Sequence, residues 1–226
     1  MNLNTQDVQY VLDNYNLGDI RSVASQATTA LVFVETDSGE GYITVDGNAG
    51  DRNNLTLWNN GEAIITATTS VCDNVIVVVN SVGPVTIGNW SSNPNVTGII
   101  WAGIPGEESG NALVDILYGA VNPGGKLPYT LGAQRSDYGT DILYMPNEGT
   151  QTPQINFAEG VFIDYRAFDK HNITPVYEFG FGTFTKPDSS MAFIDIVHQA
   201  YHTPPSASLA SASRRTATQH TSLTPA

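Results

Sequence analysis

The stretch Ala30-Leu-Val-Phe-Val-Glu-Thr-Asp-Ser-Gly-Glu-Gly-Tyr42, followed by Gly50-Asp51-Arg52, gathers the side chains best placed to do chemistry. Glu40 lies between two glycines just past an apolar, β-rich run from Leu31 to Val34. Ligands of open α/β sheets bind at strand ends, and glycines let a backbone come close to a substrate. A carboxylic acid presented there can protonate a leaving group. The competing role is a polar connecting loop whose glutamate simply faces water. Glu35 and Asp37 are close in sequence, but alternation at the strand end points Glu35 elsewhere, and Asp37 reads as a residue that shapes the loop.

Such a loop needs a sheet to carry it, and the chain alternates helix-like and strand-like stretches. Asp7 to Asn14 and Asp19 to Gln26 read as helices ahead of a first strand, Ala30 to Glu35. Leu57 to Ser70 reads as mainly helix, with Asn59 or Asn60 as its cap. Val75-Ile-Val-Val-Val79 is a continuous β-branched run, the pattern of a strand buried on both faces. Val96 to Ala102 gives a third strand, and Glu107 to Tyr118 a helix with acids in its first turn and Gly119 closing it. Lys126 to Leu131 is expected to be a fourth short strand, entered through the turn Asn122-Pro-Gly-Gly. The spacing predicts an α/β fold, a mostly parallel sheet flanked by helices. Gly132 to Thr152 reads as a long loop. From Thr203 to Ala226, 18 of 24 residues are Ser, Thr, Ala or Pro, too little apolar surface to offset chain entropy, so residues 186–226 are expected to be a disordered tail.

Composition narrows the function. The chain has 226 residues, enough for one good-sized core, and its 22 acids against 9 Lys plus Arg give a net charge of −13. That balance argues against nucleic-acid binding, and no basic run exists to tether the chain to an anionic membrane. No apolar run reaches the roughly 18–20 residues of a membrane span. The lone cysteine, Cys72, is expected to be a small buried residue, and His171, His198, His202 and His220 are scattered, so no metal site and no cofactor are expected. The N-terminus lacks the features of a secretory signal, yet Asn54, Asn89, Asn95 and Asn172 head Asn-x-Ser/Thr sequons. A chain that begins inside a longer secreted protein reconciles the two.

Asp37-Ser-Gly-Glu-Gly-Tyr-Ile-Thr-Val-Asp-Gly-Asn-Ala-Gly-Asp-Arg-Asn-Asn54 resembles the acid/base loop of fungal β-glucosidases of glycoside hydrolase family 3. Further stretches match in the same order: Ile100-Trp-Ala-Gly-Ile-Pro-Gly-Glu-Glu-Ser-Gly-Asn-Ala112, Asn122-Pro-Gly-Gly-Lys-Leu-Pro-Tyr-Thr130, and Glu159-Gly-Val-Phe-Ile-Asp-Tyr-Arg-Ala-Phe-Asp169 with Tyr177-Glu-Phe-Gly-Phe-Gly182. The resemblance implies a three-layer α/β sandwich domain over residues 1–134, incomplete at its N-terminus, then a loop and interdomain linker over 135–185 and an irregular extension. It also implies a partner absent from this chain: the (β/α)8 barrel that carries the nucleophile in a Ser-Asp-Trp motif. Ser136-Asp137-Tyr138 imitates that motif in the wrong domain.

Retaining glycosidases use two carboxyl groups roughly 5–5.5 Å apart, one attacking the anomeric carbon and one serving as acid and then base. The resemblance implies that Glu40 is the acid/base member, acting on terminal non-reducing β-D-glucosyl residues of cellobiose and related β-glucosides or cello-oligosaccharides. Tyr42, Asp51 and Arg52 are the candidate substrate-binding residues. Tyr42 can stack on a sugar at the leaving-group side or pack within the loop. Asp51-Arg52 can brace the loop through charge-assisted bonds, the favoured role, or touch sugar hydroxyls. Trp58 and Trp101 are expected in the core or between domains, and Glu159, Asp164 and Arg166 are expected to fix the linker. Two other readings compete: a truncated remnant without catalysis of its own, and a nucleotide-binding module, which Gly39-Glu-Gly-Tyr-Ile-Thr disfavours because the third glycine of G-x-G-x-x-G is missing.

Overall fold

The computed structural model describes residues 8–141, 152 and 154–182. Among them, β1 (Ala30–Thr36), β4 (Val75–Ser81) and β5 (Val96–Gly103) form a parallel sheet in the order β1-β4-β5. The two-residue strands β2 (Thr44–Val45) and β3 (Asn48–Ala49) form a separate antiparallel hairpin. Helices α1 (Leu17–Ala24) and α2 (Gly61–Thr69) pack together on one side of the sheet, α3 (Ser109–Leu117) follows β5, and α4 (Tyr165–His171) comes late. This is the α/β architecture with a parallel sheet expected from the sequence.

The β-branched run explains the middle strand. Val75, Ile76, Val77, Val78 and Val79 of β4 are all buried, because both faces of a central parallel strand are covered. The α1–α2 side holds the core: Val32 and Val34 of β1 and Val77 and Val79 of β4 pack with Ile64, Ile65 and Ala67 of α2 and with Ile20 and Ala24 of α1. Cys72 belongs to the same cluster, its thiol near the carbonyls of Ala27 and Asn74, as a buried small residue should be. The opposite face is less covered. Leu31 and Phe33 of the edge strand β1 are 43% and 54% exposed, and an open cleft of about 840 Å³ separates Phe33, Val78 and Ile100 from Leu113 and Ile116 of α3. No residue of α3 is buried.

Several expected elements differ. The described part of Asp7 to Asn14 is not helical: Asp13 accepts the Tyr15 N–H at 2.9 Å and the chain turns there, while Val8, Tyr10 and Leu12 stay exposed. Short polar side chains that bond their own backbone favour turns over helix. Asn60 does occupy the position before α2, but at φ 65° its amide donates to the Asn14 carbonyl at 2.9 Å and caps nothing. Glu107 and Glu108 precede α3 instead of lying in its first turn, and Gly119, at φ 72°, ends it as expected. Lys126 to Leu131 does not become a fourth strand. Leu127 and Leu131 bond to Phe181 and Tyr177 on either side of Pro128, which has no N–H to continue a ladder.

The segment after the sheet is tied back by side chains. Both oxygens of Asp164 accept the Thr130 N–H, at 2.9 and 3.1 Å, and Arg166 donates to the Val161 carbonyl and the Tyr165 hydroxyl. The expected disordered tail, His198 and His202 lie outside the described residues. Among the described residues, no helix is long and apolar enough to cross a membrane.

Because Ile65 is fully buried whereas Val114 on α3 is 51% exposed, truncations at the two sites should separate. Ile65→Ala is expected to cost about 2–5 kcal/mol in denaturant unfolding. Val114→Ala should stay within about 0.5 kcal/mol.

Candidate active site

The loop that leaves β1 is folded by glycines and by one arginine. A Cβ on Gly39 would lie 2.4 Å from the Ile43 carbonyl oxygen and 2.9 Å from that of Gly50, so only glycine lets these three backbone segments meet. The Ile43 N–H donates to the Glu40 carbonyl and the Gly50 N–H to the Ile43 carbonyl, each at 2.9 Å. Between these bonds runs the β2–β3 hairpin, whose turn residues Asp46 and Gly47 both have positive φ, 47° and 81°. An Asp-Gly pair of this kind is the usual two-residue hairpin turn, because its twist matches that of the strands. Asn48 closes the foot, its amide donating to the Gly50 and Asp51 carbonyls at 3.0 Å each.

Arg52 anchors the loop to the body. Its backbone N–H donates to the Ser38 hydroxyl at 2.9 Å, and its guanidinium donates to the Asn54 carbonyl at 2.7 Å and to the Pro84 carbonyl. Burial lowers the Arg52 pKa, and the nearby phenols of Tyr129 and Tyr138 act against that shift. Burial likewise raises the pKa of both tyrosines. Each phenol is held: Tyr129 accepts from the Trp101 indole N–H at 2.7 Å, and Tyr138 accepts the Gly132 N–H at 3.0 Å while donating to the Thr130 carbonyl at 3.1 Å. This geometry is that of a brace, with the guanidinium turned inward.

At the apex, Glu40 is exposed, and no described residue bonds its carboxylate. Tyr42 is 95% exposed, which removes the alternative of an aromatic packed within the loop. Asp51 is exposed as well, and it makes no ion pair with Arg52; among the described residues the one ion pair is Arg135 with Asp141. The loop thus presents Glu40 and Tyr42 outward and keeps Arg52 inside. The Ser136-Asp137-Tyr138 segment is structural: Asp137 accepts the N–H groups of Ala133 and Gln134 at 2.8 and 3.0 Å, and the Tyr138 ring meets Phe168 edge-on at 5.5 Å. Trp101 packs against the core, and Trp58 reaches the Asn54 side chain at 3.4 Å.

Sequence reasoning missed one member of this region. The Asn59 amide donates to Glu35 at 2.7 Å and to Asp46 at 2.8 Å, joining the strand end to the hairpin turn. The Asp46-Gly47 turn signal and the Asn59-Asn60 pair, both at positive φ, were the available clues.

Residues 6–165 match the Glycosyl hydrolase family 3 C-terminal domain. The chain belongs to this family. Among its relatives, a protein named "Probable beta-glucosidase A" from Neosartorya fischeri is 61% identical over 179 residues, covering 79% of this chain and 20% of that protein. A protein of the same name from Aspergillus terreus is 56% identical over 195 residues, 86% of this chain and 23% of the relative. The solved family 3 β-glucosidase of Neurospora crassa superposes with a TM-score of 0.74 at 54% identity, covering 78% of this chain and 21% of that one. The β-glucosidase of Chaetomium thermophilum gives 0.73 at 58% identity, over 78% and 21% of the two chains. This family 3 chain therefore spans about a fifth of the length of the relatives it matches.

The backbone closure at Gly39 can be tested directly. Gly39→Ala should open the loop, so that amide exchange at Ile43 and Gly50 rises about tenfold or more while Val77 in the central strand is unchanged.

Proposed function

We propose that this chain supplies the acid/base half of a retaining family 3 β-glucosidase that removes terminal non-reducing β-D-glucosyl residues from cellobiose, cello-oligosaccharides and other β-glucosides. The observation that carries this reading is the exposed Glu40 at the apex of a loop whose foot is locked by Gly39 and Arg52. A catalytic acid that serves a neighbouring domain must be both projected and held, and this loop does both. Family membership and relatives named as β-glucosidases support the substrate class.

In this reading Glu40 donates its proton to the glycosidic oxygen while a carboxylate of the barrel domain attacks the anomeric carbon, giving a covalent glucosyl-enzyme. Glu40, now a carboxylate, then takes a proton from the water that releases glucose with retained configuration. Tyr42 offers its ring to the leaving-group sugar, Asp51 offers a carboxylate at the loop's exit, and Arg52 serves binding through the loop it braces. Taken alone, with Glu40 unaccompanied, the chain is a structural and acid-carrying part without turnover of its own.

The same reading places the enzyme outside the cell in the breakdown of cellulose-derived sugars. Two of the sequons suit glycosylation: Asn89 and Asn172 are exposed, whereas the Asn95 amide is occupied by the Thr69 carbonyl at 2.8 Å.

In the full-length enzyme containing this chain, Glu40→Gln should lower kcat/KM for glucosides with poor leaving groups by about 10²–10⁴-fold. The glucosylation step with activated aryl glucosides, which need little protonation, should be largely spared and visible as a burst of phenol in stopped-flow kinetics. Equal losses on both substrate types would remove Glu40 from the acid role.

A further inference from the structure

Two structural elements, the end of β1 and the tip of the β2–β3 hairpin, meet at one side chain that the catalytic scheme does not use. We infer that Asn59 is a positioning residue: its amide latches the β2–β3 hairpin to the end of β1 and thereby sets where Glu40 stands. This inference rests on the reading of Glu40 as acid/base. It adds the device that holds Glu40 in place.

The chemistry of the site fits a latch. A side-chain amide has two N–H donors, and Asn59 spends them on two different carboxylates, Glu35 at 2.7 Å and Asp46 at 2.8 Å. Glu35 belongs to the sheet and Asp46 to the tip of the hairpin, so the amide spans a scaffold and the part it must hold. Remove the amide and two exposed carboxylates confront each other with no donor between them, which drives the hairpin tip away from the sheet.

The latch is itself anchored. Asn59 and Asn60 both sit at left-handed φ, 49° and 65°, a conformation that asparagine tolerates better than most residues. The Asn59 carbonyl accepts from the Asn14 amide at 3.1 Å, the Asn60 amide donates to the Asn14 carbonyl at 2.9 Å, and the Trp58 N–H donates to the Glu35 carbonyl at 2.9 Å. On the far side the path to the catalytic group is short. Asp46 turns the hairpin, Ile43 leads into it, and the Ile43 N–H bonds the Glu40 carbonyl at 2.9 Å. The remaining ties of the hairpin, from Gly50 and Asn48, lie at its foot. Among the described residues, Asn59 is the side chain bonded to its tip.

The test uses the full-length enzyme with Glu40→Gln as control. Asn59→Asp, which sets three carboxylates together, should cut kcat for a glucoside with a poor leaving group by about 10–100-fold, the scale expected for a catalytic group displaced by about 1 Å. The glucosylation step with an activated aryl glucoside, read as the burst of phenol, and the melting temperature should change far less. The triple variant Glu35→Gln, Asp46→Asn, Asn59→Asp reverses every donor and acceptor, and it should restore both the rate and the leaving-group dependence. If Asn59→Asp slows glucosylation by both substrates equally, or acts only through melting temperature, or if the triple variant fails to recover, the latch is wrong. If Glu40→Gln itself shows no leaving-group dependence, the acid/base assignment fails first and the latch falls with it. A normal Glu40→Gln signature beside an inert Asn59→Asp overturns the latch alone.

Discussion

The position of the catalytic candidate depends on a backbone contact that only glycine permits. A Cβ at residue 39 would run into the carbonyl oxygens of Ile43 and Gly50, so the strand exit, the turn after Glu40 and the end of the hairpin share one small volume. Two N–H···O bonds at 2.9 Å then close the loop. Outward of this contact Glu40 and Tyr42 are exposed, and inward of it Arg52 is braced, which is how a short loop can project a carboxylate without losing control of it. A side chain at residue 39 would cost more than local strain, because it would separate the three segments that define the loop.

Arg52 and Asn59 complete the control by different physics. Arg52 is a half-buried cation in a chain of net charge −13, yet its guanidinium goes to backbone carbonyls and makes no ion pair with Asp51. A planar donor fork aimed at carbonyls fixes direction, and that suits a brace. Asn59 works at the surface, where a neutral amide separates two carboxylates that would otherwise repel. Behind both stands the buried β4 strand, whose apolar residues make the sheet end a rigid platform.

Much of this was legible in the residues, and what was not has physical causes. The run Val75 to Val79 could only be a doubly covered strand, and the alternation after it announced a parallel sheet. Glu40 between glycines could be read as a projected carboxylate, while the acid role expected for it came from the resemblance of residues 37–54 to the family 3 loop. The first expected helix failed because Asp13 and Asn14 spend their polar groups on turns and on Asn59, an outcome set by a partner 45 residues away. The fourth strand failed because a single proline interrupts pairing with a segment some fifty residues later. Asn59 was misread as a helix cap, since its partners Glu35 and Asp46 lie 24 and 13 residues distant and no local pattern joins them.

The central claim is that Glu40 supplies both the proton and the base of a two-step displacement. Replacing it with alanine in the full-length enzyme should leave a glucosyl-enzyme that forms from an activated aryl glucoside and hydrolyses slowly. Azide, a nucleophile that needs no base, should then attack the anomeric carbon, release the enzyme carboxylate and restore turnover. The product expected is β-glucosyl azide, identified by NMR. Absence of rescue, or an α-configured azide, would contradict the account.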